Sequence, residues 1–159
     1  MKVPVLTAAA GAGWEAALVG ALAQGSHGIS VARRCVDVVD LLAVAAAGQA
    51  QAALVAAELR RFDADAVDRL VAAGVVPVGV VARGDASAEA RMRASGVAHI
   101  VPADADPDTV SSVVTSAVFA RSDQRRFARA FGDPLAGLPS SAPGPTAPTS
   151  HGPTAPTPP

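Results

Sequence analysis

Val75-Val76-Pro77-Val78-Gly79-Val80-Val81-Ala82 is the most apolar run in the sequence, and Arg83-Gly84-Asp85 follows it directly. No polar residue alternates along it, so it does not read as a strand with one wet face; it reads as a strand covered on both sides. Before it, Asp63 to Ala73 has helical spacing and stops at Gly74. After it, Ala88 to Ser95 reads as a helix, Ala98 to Val101 as a strand and Pro107 to Ala120 as a last helix, with Asp106 placed as an N-cap ahead of Pro107. Toward the N-terminus the same alternation recurs. Val3 to Leu6, Ile29 to Ala32 and Ala52 to Ala57 read as strands, Trp14 to Ala23 and Val36 to Ala47 as helices, and Gly48 marks a helix stop. Strands alternating with helices through short loops need crossover connections, and crossovers need a parallel sheet with helices on both faces. The expected architecture is therefore α/β, a flavodoxin-like three-layer sandwich around a five-stranded parallel sheet.

Composition narrows the function. The chain has 159 residues, 13 Lys+Arg against 14 Asp+Glu, and a formal net charge of -1. That balance lacks the positive field that sequence-independent nucleic-acid binding requires, and no apolar stretch approaches a membrane span, so neither nucleic acid nor a bilayer is an expected partner. Cys35 is the only cysteine, which excludes an intrachain disulfide and a Cys-based zinc cluster. With no export signal after Met1-Lys2-Val3-Pro4, a cytoplasmic location is expected. Lys2 is the only lysine, which removes Walker-type phosphate binding and Schiff-base chemistry from every internal site.

Three regions differ in character: residues 1–121 carry the α/β pattern, 122–137 a basic amphipathic helical extension, and 138–159 a Pro/Thr/Ala-rich tail. The tail holds 8 of the 13 prolines and repeats Gly-Pro-Thr-Ala-Pro-Thr at 144–149 and 152–157, so it is expected to be a disordered linker with polyproline-II character. In the extension, Arg121, Arg125, Arg126 and Arg129 accompany Phe127 and Phe131, which are spaced i and i+4. One reading has the two Phe side chains cover an edge of the core. The other makes Arg125, Phe127 and Phe131 a docking face for a partner.

Ligands of open parallel sheets gather beyond the carboxyl ends of the strands. Those positions are bare here: Thr7, Ala8, Ala9 and Ala10 after the first strand, Ala57, Glu58 and Leu59 after the third, Ala82 and Arg83 after the fourth, and Pro102 after the fifth. The element order, the stretch Pro77 to Asp85 and the pair Val101-Pro102 resemble the receiver domain of two-component response regulators. The resemblance spans about residues 3–120 and implies a site with paired acids after the first strand, a phosphoacceptor aspartate after the third, a hydroxyl after the fourth and a lysine after the fifth. This chain departs from it at each place. Thr7 and Ala8 stand at the acids, Ala57 or Glu58 at the aspartate, Val81 or Ala82 at the hydroxyl and Val101 at the lysine. No metal, no cofactor and no phosphorylation are therefore expected. Glu58 reads either as a permanent carboxylate that holds one conformation or as a solvated acid paired with Arg60 or Arg61.

Degenerate receivers of this kind, with an alanine-rich opening and Arg33-Arg34-Cys35-Val36-Asp37, resemble the N-terminal domain of CpaE/TadZ-like and septum-site-determining proteins of the MinD/ParA type. No Gly-rich loop ending in Lys-Ser or Lys-Thr follows the proline-rich stretch, so ATP hydrolysis does not carry over. The resemblance implies a non-catalytic pseudo-receiver that mediates association or localisation. Its partners would be proteins: a MinD/ParA-type ATPase, secretion or division machinery, or a second copy in a homodimer.

An alternative comes from Gly11-Ala12-Gly13-Trp14-Glu15-Ala16, which matches GxGxxA between a strand and a helix. With Arg33 and Arg34 placed to meet a 2′-phosphate, Gly11 and Gly13 would make a small NADP-binding Rossmann-like domain. His27 and His99 precede or begin strands, away from the ligand side, and read as packing or surface residues. Asp63, Asp65, Asp68, Asp104, Asp106 and Asp108 lie at helix starts, where capping explains them. Cys35 would be reactive only if Arg33 or Arg34 lowered its pKa.

Overall fold

Two of the five strands are buried along their whole length. The computed structural model describes residues 2–131, in the order β1 (Val3–Ala8), α1 (Gly13–Gln24), β2 (Ile29–Cys35), α2 (Val38–Ala46), β3 (Ala52–Ala56), α3 (Ala64–Ala72), β4 (Val76–Val81), α4 (Ala86–Ala94), β5 (His99–Pro102) and α5 (Pro107–Phe131). Every residue of β3 and β4 is buried. The sheet is parallel with strand order β2-β1-β3-β4-β5, the flavodoxin-like arrangement expected from the sequence.

Alternate residues of the strands feed two cores. Val5, Leu54, Val78 and Val101 meet Leu18 and Leu22 of α1 and Val110, Val114 and Ala117 of α5. Leu6, Val55 and Val81 meet the faces of α2, α3 and α4 through Leu41, Leu70 and Met92. The helices start on aspartate caps, for Asp37, Asp63 and Asp85 each accept from the backbone N–H three residues on. Asp106 does the same to Thr109 at 2.8 Å. Gly48 and Gly74 follow helix ends with φ of 73° and 91°, the left-handed cap for which glycine is suited.

Two elements run further than their apolar pattern suggests. β2 extends past Ala32 through Arg33, Arg34 and Cys35. It lies at the edge of the sheet, so Ala32, Arg33 and Arg34 project into water within a paired strand. α5 does not stop at Ala120 but continues without a break to Phe131, over 25 residues. No glycine or second proline interrupts this segment, and its alanines, arginines and glutamine favour helix. The expectations for the tail 138–159, and for the part of 122–137 beyond Phe131, lie outside the described residues.

Since Leu54 is wholly buried in the central sheet, Leu54→Ala is expected to lower the unfolding free energy by roughly 2–5 kcal/mol. Asp63→Ala, which removes one cap, is expected to cost only about 1 kcal/mol. Urea denaturation of the two variants beside the wild type checks both the size and the ranking.

Candidate functional site

The carboxyl ends of β3 and β4, the β1–α1 loop and the turn after β5 enclose a pocket of about 310 Å³. Its wall is apolar, with Trp14, Ala56, Val80, Ala82 and Ala103 around it, and Glu58 is the one charged residue in its lining. Glu58 is exposed, and no ion pair holds it among the described residues, so the expected pairing with Arg60 or Arg61 is not formed. Beside the pocket, Arg83 of the loop after β4 donates to Asp104 at 2.7 Å. That hydrogen bond holds the Asp104 carboxyl below the ordinary carboxylate range.

The positions singled out from the sequence divide by strand parity. Ala56 and Glu58 reach the pocket, while Ala57 between them packs against the opposite core. Ala82 reaches it, but Val81 is buried among α2, α3 and α4. Val101 is buried in the α1/α5 core, and Thr7 and Ala8 are wholly buried inside the sheet. Ala56 is therefore a site position that the sequence reading missed, because only the end of β3 at Ala56 sets the parity.

No family model matches the sequence, and neither does any curated protein. Solved structures do match. The signal receiver domain of NarL, a response regulator from Mycobacterium tuberculosis, aligns with 74% of this chain and 96% of its own length at a TM-score of 0.62 and 16% identity. The receiver domain of the response regulator AraT from Geobacillus stearothermophilus aligns with 79% of this chain and 99% of its own, at TM-score 0.60 and 15% identity. A pilus assembly-related protein from Burkholderia pseudomallei aligns with 73% of this chain and 89% of its own, at TM-score 0.58 and 14% identity. The chain has the receiver fold.

Within that receiver fold the first strand's polar chemistry has been turned inward. Glu15, in the first turn of α1, is only 4% exposed. Its Oε1 accepts from Thr7 Oγ1 at 2.5 Å, and its Oε2 accepts from Arg34 Nη2 at 3.0 Å. A buried carboxylate is costly unless it is paired and hydrogen-bonded, and here both oxygens are used. Ala12, at the N-cap of α1, makes no side-chain cap hydrogen bond, and the Glu15 carboxylate is directed to Thr7 and Arg34. A Thr, a Glu eight residues on and an Arg in the next strand are individually ordinary, and only the register that pairs Thr7 with Arg34 joins them.

The same network separates the residues of the dinucleotide reading. Gly11 and Gly13 line the receiver pocket, but neither Arg33 nor Arg34 does. Arg33 pairs with Asp40 at 3.2 Å and Arg34 is spent on Glu15, so the two halves of that reading do not converge on one crevice. Cys35 ends β2 almost wholly buried, and burial raises its pKa from 9.0 to about 11, with the negative charge of Asp40 adding to the effect. The lowering by Arg33 is outweighed, so the thiol stays protonated and unreactive. His27 Nδ1 lies 2.8 Å from Asp108 Oδ1, and His99 opens β5 at the amino ends of the strands.

A second concavity, of about 470 Å³, lies where α5 passes the amino ends of β4 and β5. Val76, Pro77 and Ala98 face Ala117, Gln124 and Ala128 across it. Arg121 donates to the carbonyls of Val71 and Val75 at its side, and Arg125 lines it. Beyond this point Asp123 to Phe131 are all exposed. Phe127 and Phe131 are 65% and 73% exposed, with ring centroids 4.4 Å apart, so they do not cover the core.

Glu15→Ala leaves the Thr7 hydroxyl buried without its acceptor and is expected to cost roughly 1–3 kcal/mol. Arg34→Ala leaves the buried Glu15 carboxylate without its cation and is likewise expected to destabilise the fold. Urea titrations measure both. In the folded protein Cys35 is expected to resist a disulfide reagent at pH 8. Because its folded pKa is raised from 9.0 to about 11, stability is expected to fall as pH rises through that interval, and a Cys35→Ala variant checks this by losing that part of the pH dependence.

Proposed function

We propose that these residues form a non-catalytic pseudo-receiver that acts by protein association. The observation that carries the reading is the replacement of phosphotransfer chemistry by packing: Ala56 and Ala82 wall the receiver pocket, and Val101 lies in the core. Among the described residues, no group of three His, Cys, Asp or Glu side chains is placed to hold a metal ion, and no helix is long and apolar enough to cross a membrane. Exposed Phe127 and Phe131 on a basic helix supply a surface for a protein partner, which is how receivers that do no chemistry can still act.

The likeness to a pilus assembly-related protein supports the narrower reading, a CpaE/TadZ-like or septum-site-determining role next to a MinD/ParA-type ATPase or secretion and division machinery. In this role the front domain contributes position and contact, and hydrolysis belongs to the partner.

Incubation of the full chain with acetyl phosphate and magnesium is expected to leave its intact mass unchanged and its melting temperature unshifted. A phosphoryl adduct on any residue would overturn the non-catalytic reading. Co-purification with a MinD/ParA-type ATPase encoded in the same genome is expected for the wild type and lost in Phe127→Ala/Phe131→Ala; binding that ignores the double substitution would move the docking face elsewhere.

A further inference from the structure

The receiver pocket and the end of α5 are complementary, and they belong to opposite ends of the molecule. The pocket is an apolar socket with one carboxylate, Glu58, exposed in its lining. The end of α5 presents two neighbouring Phe rings, tilted 35° to each other, among Arg125, Arg126 and Arg129, and none of these arginines has a carboxylate partner among the described residues. We propose that the Phe127/Phe131 end of α5 from one copy of this chain docks in the receiver pocket of a second copy, with its arginines meeting Glu58. This deepens the association reading and rests on it.

Four observations favour a second copy. First, α5 leaves the domain past the amino ends of β4 and β5, whereas the pocket opens at the carboxyl ends of the strands. The six residues of β4 put about 20 Å between these ends. A continuous helix does not fold back over that distance, so the contact is intermolecular. Second, two α5 ends do not pair side by side on favourable terms, because residues 121–131 carry four arginines and a single acid, Asp123. An acid-bearing apolar surface is needed, and the pocket is one. Third, at about 310 Å³ the pocket falls at the small end of the range that encloses organic groups, a size suited to aromatic side chains. Fourth, Trp14 is among the residues lining the pocket, so an aromatic side chain is at hand for an incoming guanidinium or Phe ring.

The contact is heterologous, since a helix end of one copy meets a pocket of the next. It closes as a reciprocal dimer if a two-fold axis brings both pairs together, and it extends as a chain if not.

Sedimentation velocity of the full 159-residue chain across concentration tests this. The wild type is expected to gain mass with concentration and to lose that gain as salt is raised. Glu58→Arg and Phe127→Ala/Phe131→Ala change exposed side chains only, so each is expected to fold, with an unchanged melt, and to stay monomeric. Their equimolar mixture is the discriminating sample. It holds one intact plug and one intact socket, and is expected to recover a dimer and nothing larger. If the wild type associates but ignores both substitutions, or if each variant is monomeric and their mixture stays monomeric as well, this docking mode is overturned and the association reading stands. If the wild type remains monomeric throughout, the inference fails, while loss or retention of ATPase co-purification judges the broader reading separately.

Discussion

Burial of β3 and β4 on both faces is the constraint on which the rest of this molecule depends. A parallel strand with no wet side must be covered twice, and the chain can supply two covers only by crossing over after every strand. The crossovers place α1 and α5 on one face and α2, α3 and α4 on the other. They also put every strand's carboxyl end and every helix start, aspartate-capped in all but the alanine-capped α1, on the same side as the pocket. The location of the site therefore follows from the packing requirement before any of its chemistry is chosen.

That requirement is also why so much of the fold could be read from the residues. Val75 to Ala82 leaves no face for water, Gly48 and Gly74 mark helix stops, and Asp106-Pro107 marks a start, all of which are local signals. What escaped local reading depended on position in the sheet. Arg33 and Arg34 look like loop residues until β2 proves to be an edge strand. The last helix and the helical extension after it read as two stretches, yet helix propensity and the Arg121 hydrogen bonds to Val71 and Val75 carry α5 as one helix through Phe131.

The site was less accessible to the sequence, for a reason of parity. Whether Ala56, Ala57 or Glu58 faces the pocket is settled by a single residue of register, and a one-residue slip reverses every side chain. Thr7, Glu15 and Arg34 come from a strand, a helix and the neighbouring strand, so no spacing rule links them. Their pairing occupies both oxygens of the buried Glu15 carboxylate with hydrogen bonds from two different strands.

The length of α5 has a mechanical meaning. From Ala117, its last buried residue, to Phe131 the helix spans about 21 Å at 1.5 Å per residue, so a tilt of about 10° at that pivot moves the Phe pair by about 4 Å. The bearing consists of small or β-branched side chains, Val110, Ser111, Val114 and Ala117, set against the sheet. Arg121, one turn past that bearing, ties the helix to the Val71 and Val75 carbonyls, so the aim of this lever is set jointly by apolar packing on one side and a hydrogen-bonded strut on the other.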